Sequence, residues 1–301
     1  MTDRGIETLG FAGIDIAKVL HMPAGKVSRV RSADGPSDSA PATEQGGQVD
    51  DSGSNLTLAS VRRQILQQPL ATAIGPLQAE TGEQMTLHTR ESLQLFLGRP
   101  AAAGQPAIAG GRRYAAAMRA LWVLSGTDNP YADWILIRAD DQLRAACEQM
   151  AQAVLQHEER LQRLLDQGLS FGRLASTQPA LVSLGFSSPY GYATARAVVE
   201  FDRYVRLIRA VVLRDLLTDE QGRLAVREAG RALRALFLLP IRWERVLMRD
   251  DLKALSRSDF EPGADGAANQ RVVTAKELLG EPPAEVLSGR VKPRHSRRTA
   301  V

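Results

Sequence analysis

Gln84-Met85-Thr86-Leu87-His88-Thr89 alternates polar and apolar side chains. In a strand, successive side chains point to opposite faces, so Met85 and Leu87 share one face while Gln84, Thr86 and His88 share the other. This is the pattern of a half-buried strand. Thr89 is placed to cap a short helix that runs through Leu97 and ends at Gly98. A Gly- and Pro-containing loop follows, and Gly110-Gly111-Arg112-Arg113 opens a second helix to about Leu124.

Beyond this point the chain reads as helix. Asp128 or Asn129 caps a segment with Pro130 at its first position, where a missing N–H costs nothing. The segment is expected to reach Gln167. Along it Leu143, Cys147, Met150, Val154, His157, Leu161 and Leu164 recur at four and three spacing, a seam for an intramolecular core or a short coiled coil. Leu181 to Phe186 is a second strand candidate, with Val182, Leu184 and Phe186 on one side. Ser188 and Pro189 then start a helix whose buried face is Val198, Phe201, Val205, Ile208 and Val212. A further helix is expected over Glu220 to Leu238, closed by Pro240. After Asp259 a Gly-rich stretch precedes a short helix near Ala275 to Leu279.

Composition sets the outer bounds. The chain has 301 residues, 44% hydrophobic, enough for a sizeable core. Ala, Leu and Arg recur throughout, which favours helix. Residues 1–56 read as a disordered segment, because Ser32 to Ser54 offers little apolar surface against the entropy of ordering. Residues 57–81 read as a short helix and linker, 82–289 as the folded domain, and 290–301 as a basic disordered tail. That tail carries Arg290, Lys292, Arg294, Arg297 and Arg298 and no acid, a composition suited to phosphates. No apolar run approaches a membrane span and no secretory signal is evident, so a cytoplasmic protein without membrane contact is expected.

The sequence carries no local catalytic or cofactor motif. The lone Cys147 excludes an internal disulfide, and His21, His88, His157 and His295 lack metal-ligand spacing. Asp140-Asp141 and Glu158-Glu159 are adjacent pairs whose members diverge on a helix. No phosphate loop, dinucleotide fingerprint or nucleophile turn is present. No enzyme, metal or cofactor is expected.

Three stretches carry a family resemblance: Asn129-Pro130-Tyr131-Ala132-Asp133-Trp134, Ser188-Pro189-Tyr190-Gly191-Tyr192 and Pro283-Ala284-Glu285-Val286-Leu287-Ser288-Gly289. Over roughly residues 82 to 289 the chain resembles the AcaB-like proteins of conjugative plasmids and integrating conjugative elements. Some of these act as transcriptional regulators. The resemblance implies a bacterial DNA-binding protein of such an element, with double-stranded DNA as partner.

The order strand, helix, helix is that of ribbon-helix-helix proteins. The expected fold is therefore mainly α, a helical domain with a small two-stranded β-ribbon. Base reading would fall on Gln84, Thr86, His88 and Arg90, whose side chains suit major-groove edges. Phosphate binding would fall on Gly110, Gly111, Arg112 and Arg113 at a helix N-terminus and on the five tail cations. An ordinary edge strand with a polar face is the competing reading. Two departures from the ribbon-helix-helix pattern stand out: the long loop from Arg99 to Gly110, and a single strong strand per chain. Either a homodimer or an internal pseudo-dimer with 181–186 supplies the second strand. The alternative function is an accessory protein that binds a protein partner through the helix at 130–167.

Overall fold

The computed structural model describes residues 82–102 and 104–297; the expectations for residues 1–56 and 57–81, and for Arg298, lie outside them. Strand β1 (Gln84–Leu87) forms as its alternation dictates: Met85 and Leu87 are buried, Gln84 and Thr86 exposed. Strand β2 (Ala180–Ser183) pairs with it antiparallel, setting Gln84 opposite Ser183, Met85 opposite Val182, Thr86 opposite Leu181 and Leu87 opposite Ala180. The two-stranded sheet is thus built within one chain. Leu184 N–H donates to the Glu83 carbonyl and extends the ladder by one step.

Helix α1 (Arg90–Leu97) starts where Thr89 accepts the Ser92 N–H and stops at Gly98, which has φ of 74°. The loop that looked long for the fold doubles back on itself. Arg99 bridges Ile108 and Ala102 bridges Gln105, so the backbones of Gly98 and Gly110 meet. A Cβ on Gly110 would lie 2.3 Å from the Gly98 nitrogen and 2.5 Å from the Phe96 carbonyl oxygen. The excursion therefore brings the two helix ends together as a short turn would.

Helices α2 (Gly111–Ser125), α3 (Pro130–Asp166), α4 (Pro189–Leu213) and α5 (Asp219–Leu247) all pack on one another around a shared core. At 37 residues α3 is about 55 Å long. Its seam is buried at Leu143, Met150, Val154 and His157, mainly against α4, and opens to solvent toward Leu161 and Leu164. Burial pushes the half-buried Cys147 thiol up to about 11. The Nδ1 of His157 has no hydrogen-bond partner among the described residues, and burial, reinforced by Arg160, holds the imidazole below its usual pKa.

Two helix boundaries differ from expectation. Helix α5 does not end before Pro240 but continues through it to Leu247. The interior proline costs about 3 kcal/mol. Burial of Ile241, Trp243 and Leu247 beyond it, each worth about 1.5–3 kcal/mol, offsets that cost. A 3-10 turn (Arg257–Phe260) follows. Helix α6 (Gly266–Leu279) then begins nine residues earlier than the apolar pattern suggested, because Asp265 caps it through the Ala268 N–H. Helix α7 (Ala284–Leu287) is a single turn packed on α3.

The order strand, helix, helix occurs twice, as β1–α1–α2 and β2–α4–α5. Met85 and Leu87, with the half-buried Val182, Leu184 and Phe186, close the core beneath the ribbon.

Candidate nucleic-acid interface

The outward face of the ribbon is small and mixed. Gln84 and Thr86 are exposed on β1, and Ser183 and Leu181 stand opposite them on β2. Arg90, exposed at the first position of α1, lies just past the strand. His88 departs from the expected set. Its ring is half-buried, and its Nδ1 accepts the Ser176 N–H at 3.2 Å, which ties it to the segment before β2. The strand ends at Leu87, so alternation no longer governs where His88 points.

A buried carboxylate that the sequence reading passed over holds this turn. Asp202 of α4 is 1% exposed. Its Oδ1 accepts the His88 N–H at 3.0 Å, the Thr89 N–H at 2.9 Å and the Thr89 hydroxyl at 2.8 Å. Its Oδ2 lies 3.1 Å from Arg206 Nε. The carboxylate sits at the N-terminus of α1, where the free N–H groups and the helix dipole favour negative charge. Asp202 thus positions the ribbon relative to α4. The available signal was an acid adjoining Phe201 on an otherwise apolar face, four residues before an arginine.

The expected phosphate residues divide. Gly110 and Gly111 are buried and serve close packing, with Gly111 against Phe96, Thr194 and Val198. Arg112 is exposed, while Arg113 pairs with Glu244 of α5 at 2.6 Å. Missed by the sequence reading is a basic groove between α4 and α5, lined by Arg209, Arg223, Arg227 and Arg234 over Phe201 and Ile208. Arg209 pairs across it with Glu91 of α1 at 2.7 Å. The signal was the four- and seven-residue spacing of Arg223, Arg227 and Arg234, which places three cations on one side of a helix.

The basic segment after Gly289 is not a loose tail over its described part. Arg290 pairs with Glu285, the Tyr190 hydroxyl donates to the His295 carbonyl at 3.1 Å, and the Arg297 guanidinium lies 5.1 Å from the Trp122 ring centre. Lys292 and Arg294 remain exposed. Residues 290–297 therefore cross the helical body, because Tyr190 and Trp122 offer a hydroxyl donor and an aromatic face that composition does not register.

Two of the three stretches that carried the resemblance meet through Arg257, and the third is tied through Tyr190 to His295. Arg257 donates to Asp128 Oδ1 at 2.6 Å, to Asp133 Oδ2 at 2.8 Å, and to the carbonyls of Val286 and Leu287 at 2.7 and 2.8 Å. It joins the Asn129-Pro130-Tyr131 helix start to the Pro283–Gly289 stretch. The Tyr131 hydroxyl donates to the Gly280 carbonyl at 2.8 Å. Both Pro-Tyr helix starts are therefore held by backbone from the C-terminal region.

Among the described residues no cluster of three or more metal-ligating side chains occurs, and no helix is long and apolar enough to cross a membrane. The described architecture is that of a helical protein carrying a small antiparallel ribbon. The sequence pattern of the family described as transcriptional regulator AcaB matches residues 73–299, and the chain belongs to that family. Its role is accordingly regulatory rather than enzymatic. Among solved structures, the chain is similar to AcaB from uropathogenic E. coli, crystallised with selenomethionine. The two are 10% identical with a TM-score of 0.40, over 69% of this chain and 95% of that one. No curated protein matches.

Proposed function

We propose that this regulator belongs to an integrating conjugative element and binds double-stranded DNA by laying the β1–β2 ribbon in the major groove, in the manner of ribbon-helix-helix proteins. The observation that carries the reading is the exposure of Gln84 and Thr86 on the outer face of a two-stranded ribbon whose inner face is anchored by Met85 and Leu87. A two-stranded ribbon fits the major groove, where a Gln amide pairs with adenine N6 and N7. The repeated strand, helix, helix order supports an internal pseudo-dimer. Arg90 at the first position of α1 and the exposed Arg112 of α2 offer cations to phosphates, and the exposed Lys292 and Arg294 add further positive charge.

A mobility shift on element promoter DNA, with competitor and at two salt concentrations, tests the reading. Gln84→Ala is expected to cost about 1–3 kcal/mol on specific DNA and little on random DNA. Equal losses on both would remove base reading by this strand.

The accessory-protein reading has one observation in its favour: Leu155 near the end of α3 and Leu169 just beyond it are 59% and 54% exposed. A Leu155→Arg variant that binds DNA normally but loses regulation in cells would support it.

A further inference from the structure

The ribbon's outer face contains a residue that polar base reading does not explain. Leu181 is 65% exposed at the centre of β2, directly opposite Thr86. Directly paired side chains in an antiparallel ladder lie about 4.5–5.5 Å apart at Cβ. The Thr86 methyl and the Leu181 side chain therefore form one apolar spot, flanked by Gln84 and Ser183. The apolar feature of the major groove is the thymine 5-methyl group.

Resting on the ribbon reading above, we infer that the chain reads an asymmetric duplex site, in which Leu181 packs on a thymine methyl while Gln84 hydrogen-bonds a base on the β1 side. A ribbon made of two identical strands presents the same row twice about a two-fold axis and so matches a palindrome. Here both strands come from one chain and the rows differ, Gln84 and Thr86 against Ser183 and Leu181. The two following second helices differ as well. The first turn of helix α2 holds the exposed Arg112 and no acid, with Arg113 paired to Glu244, whereas α5 opens with Asp219-Glu220, which disfavours a phosphate at that end. One half of the pseudo-dimer is basic and hydrogen-bonding at its DNA-facing positions, the other apolar and acidic. A duplex matched to this surface has no two-fold symmetry.

The experiment is selection of duplexes from a random pool by the full chain and by its Leu181→Ser and Gln84→Ala variants. Each thymine of the enriched site is then replaced singly by deoxyuridine, which removes only the methyl. The expected result is a non-palindromic site bound by one chain. One deoxyuridine position should weaken the wild type about fourfold, the effect of one buried methyl, and leave Leu181→Ser unaffected. Enrichment of a palindrome, insensitivity to every deoxyuridine, or equal deoxyuridine losses in wild type and Leu181→Ser would each overturn the inference while leaving Gln84-dependent ribbon reading standing. No enrichment by the wild type would overturn both.

Discussion

Asp202 and Leu87 show how two side chains set the presentation of the ribbon from beneath. Leu87 is 1% exposed under the outer row, and an aspartate there would bury an unpaired charge. Leu87→Asp is expected to abolish the cooperative unfolding transition in urea, whereas Thr86→Ala, at an exposed position, should stay within about 0.5 kcal/mol of wild type. Asp202 acts on orientation as well as stability. Replacing it with Ala removes the acceptor of two backbone N–H groups and of the Thr89 hydroxyl, and the carboxylate beside Arg206. Each buried N–H left without an acceptor costs about 1–3 kcal/mol, so Asp202→Ala should lower the urea midpoint accordingly. In the remaining folded protein, amide exchange should rise first at His88 and Thr89. Unchanged protection there would show that the turn holds without its carboxylate.

Arginine and aspartate pairs, together with the buried Ala275, Leu279 and Val286, attach the C-terminal elements to the helical body. Arg257 reaches two carboxylates and two carbonyls at once because its guanidinium carries five donors in a fixed plane. A lysine ammonium lacks that planar fork. Arg257→Lys should therefore behave nearly as Arg257→Ala, loosening residues 284–291 to limited proteolysis before the rest of the domain unfolds. Full protection in the lysine variant would contradict this account. The 3-10 turn and α6 are joined by a bidentate contact, Arg271 to Asp259 at 2.7 and 2.8 Å. That guanidinium holds the Asp259 carboxyl below its ordinary pKa. Because the folded value is depressed, the pair stabilises above the ordinary carboxylate range and its contribution is lost as pH falls through the folded value. On acidification α6 is expected to loosen in the wild type, and Arg271→Gln should flatten that pH dependence. Identical acid titrations would exclude the pair as the cause.

Across the chain, the segment after Gly289 combines two properties that composition presented as one. Its charge suits phosphates, yet its backbone and Arg297 also contact Tyr190 and Trp122. Removal of residues 290–301 is therefore expected to lower the melting temperature as well as weaken binding to all DNA sequences with a shallower salt dependence. An unchanged melting temperature would mean that the contacts to Tyr190 and Trp122 contribute nothing.

Periodicity and capping chemistry were enough to place β1, the caps at Thr89 and Ser188, the start of α3 to within Asp128 or Asn129, and the buried stripe of α4, because each depends on neighbours within a few residues. Alternation also assigned the inner and outer rows of the ribbon, including the inward set Val182, Leu184 and Phe186. The failures share one cause. Pro240 is carried inside α5 by burial beyond it, His88 is turned by a loop 88 residues away, and Gly110 is glycine because the Gly98 and Phe96 backbones touch it. Asp202 and Arg257 likewise act through partners more than a hundred positions distant along the chain. Local patterns record a residue's own conformational preference and the face it occupies. Which distant group meets it, and whether a cation is left facing solvent or spent on the fold, is decided only when the helices close on one another.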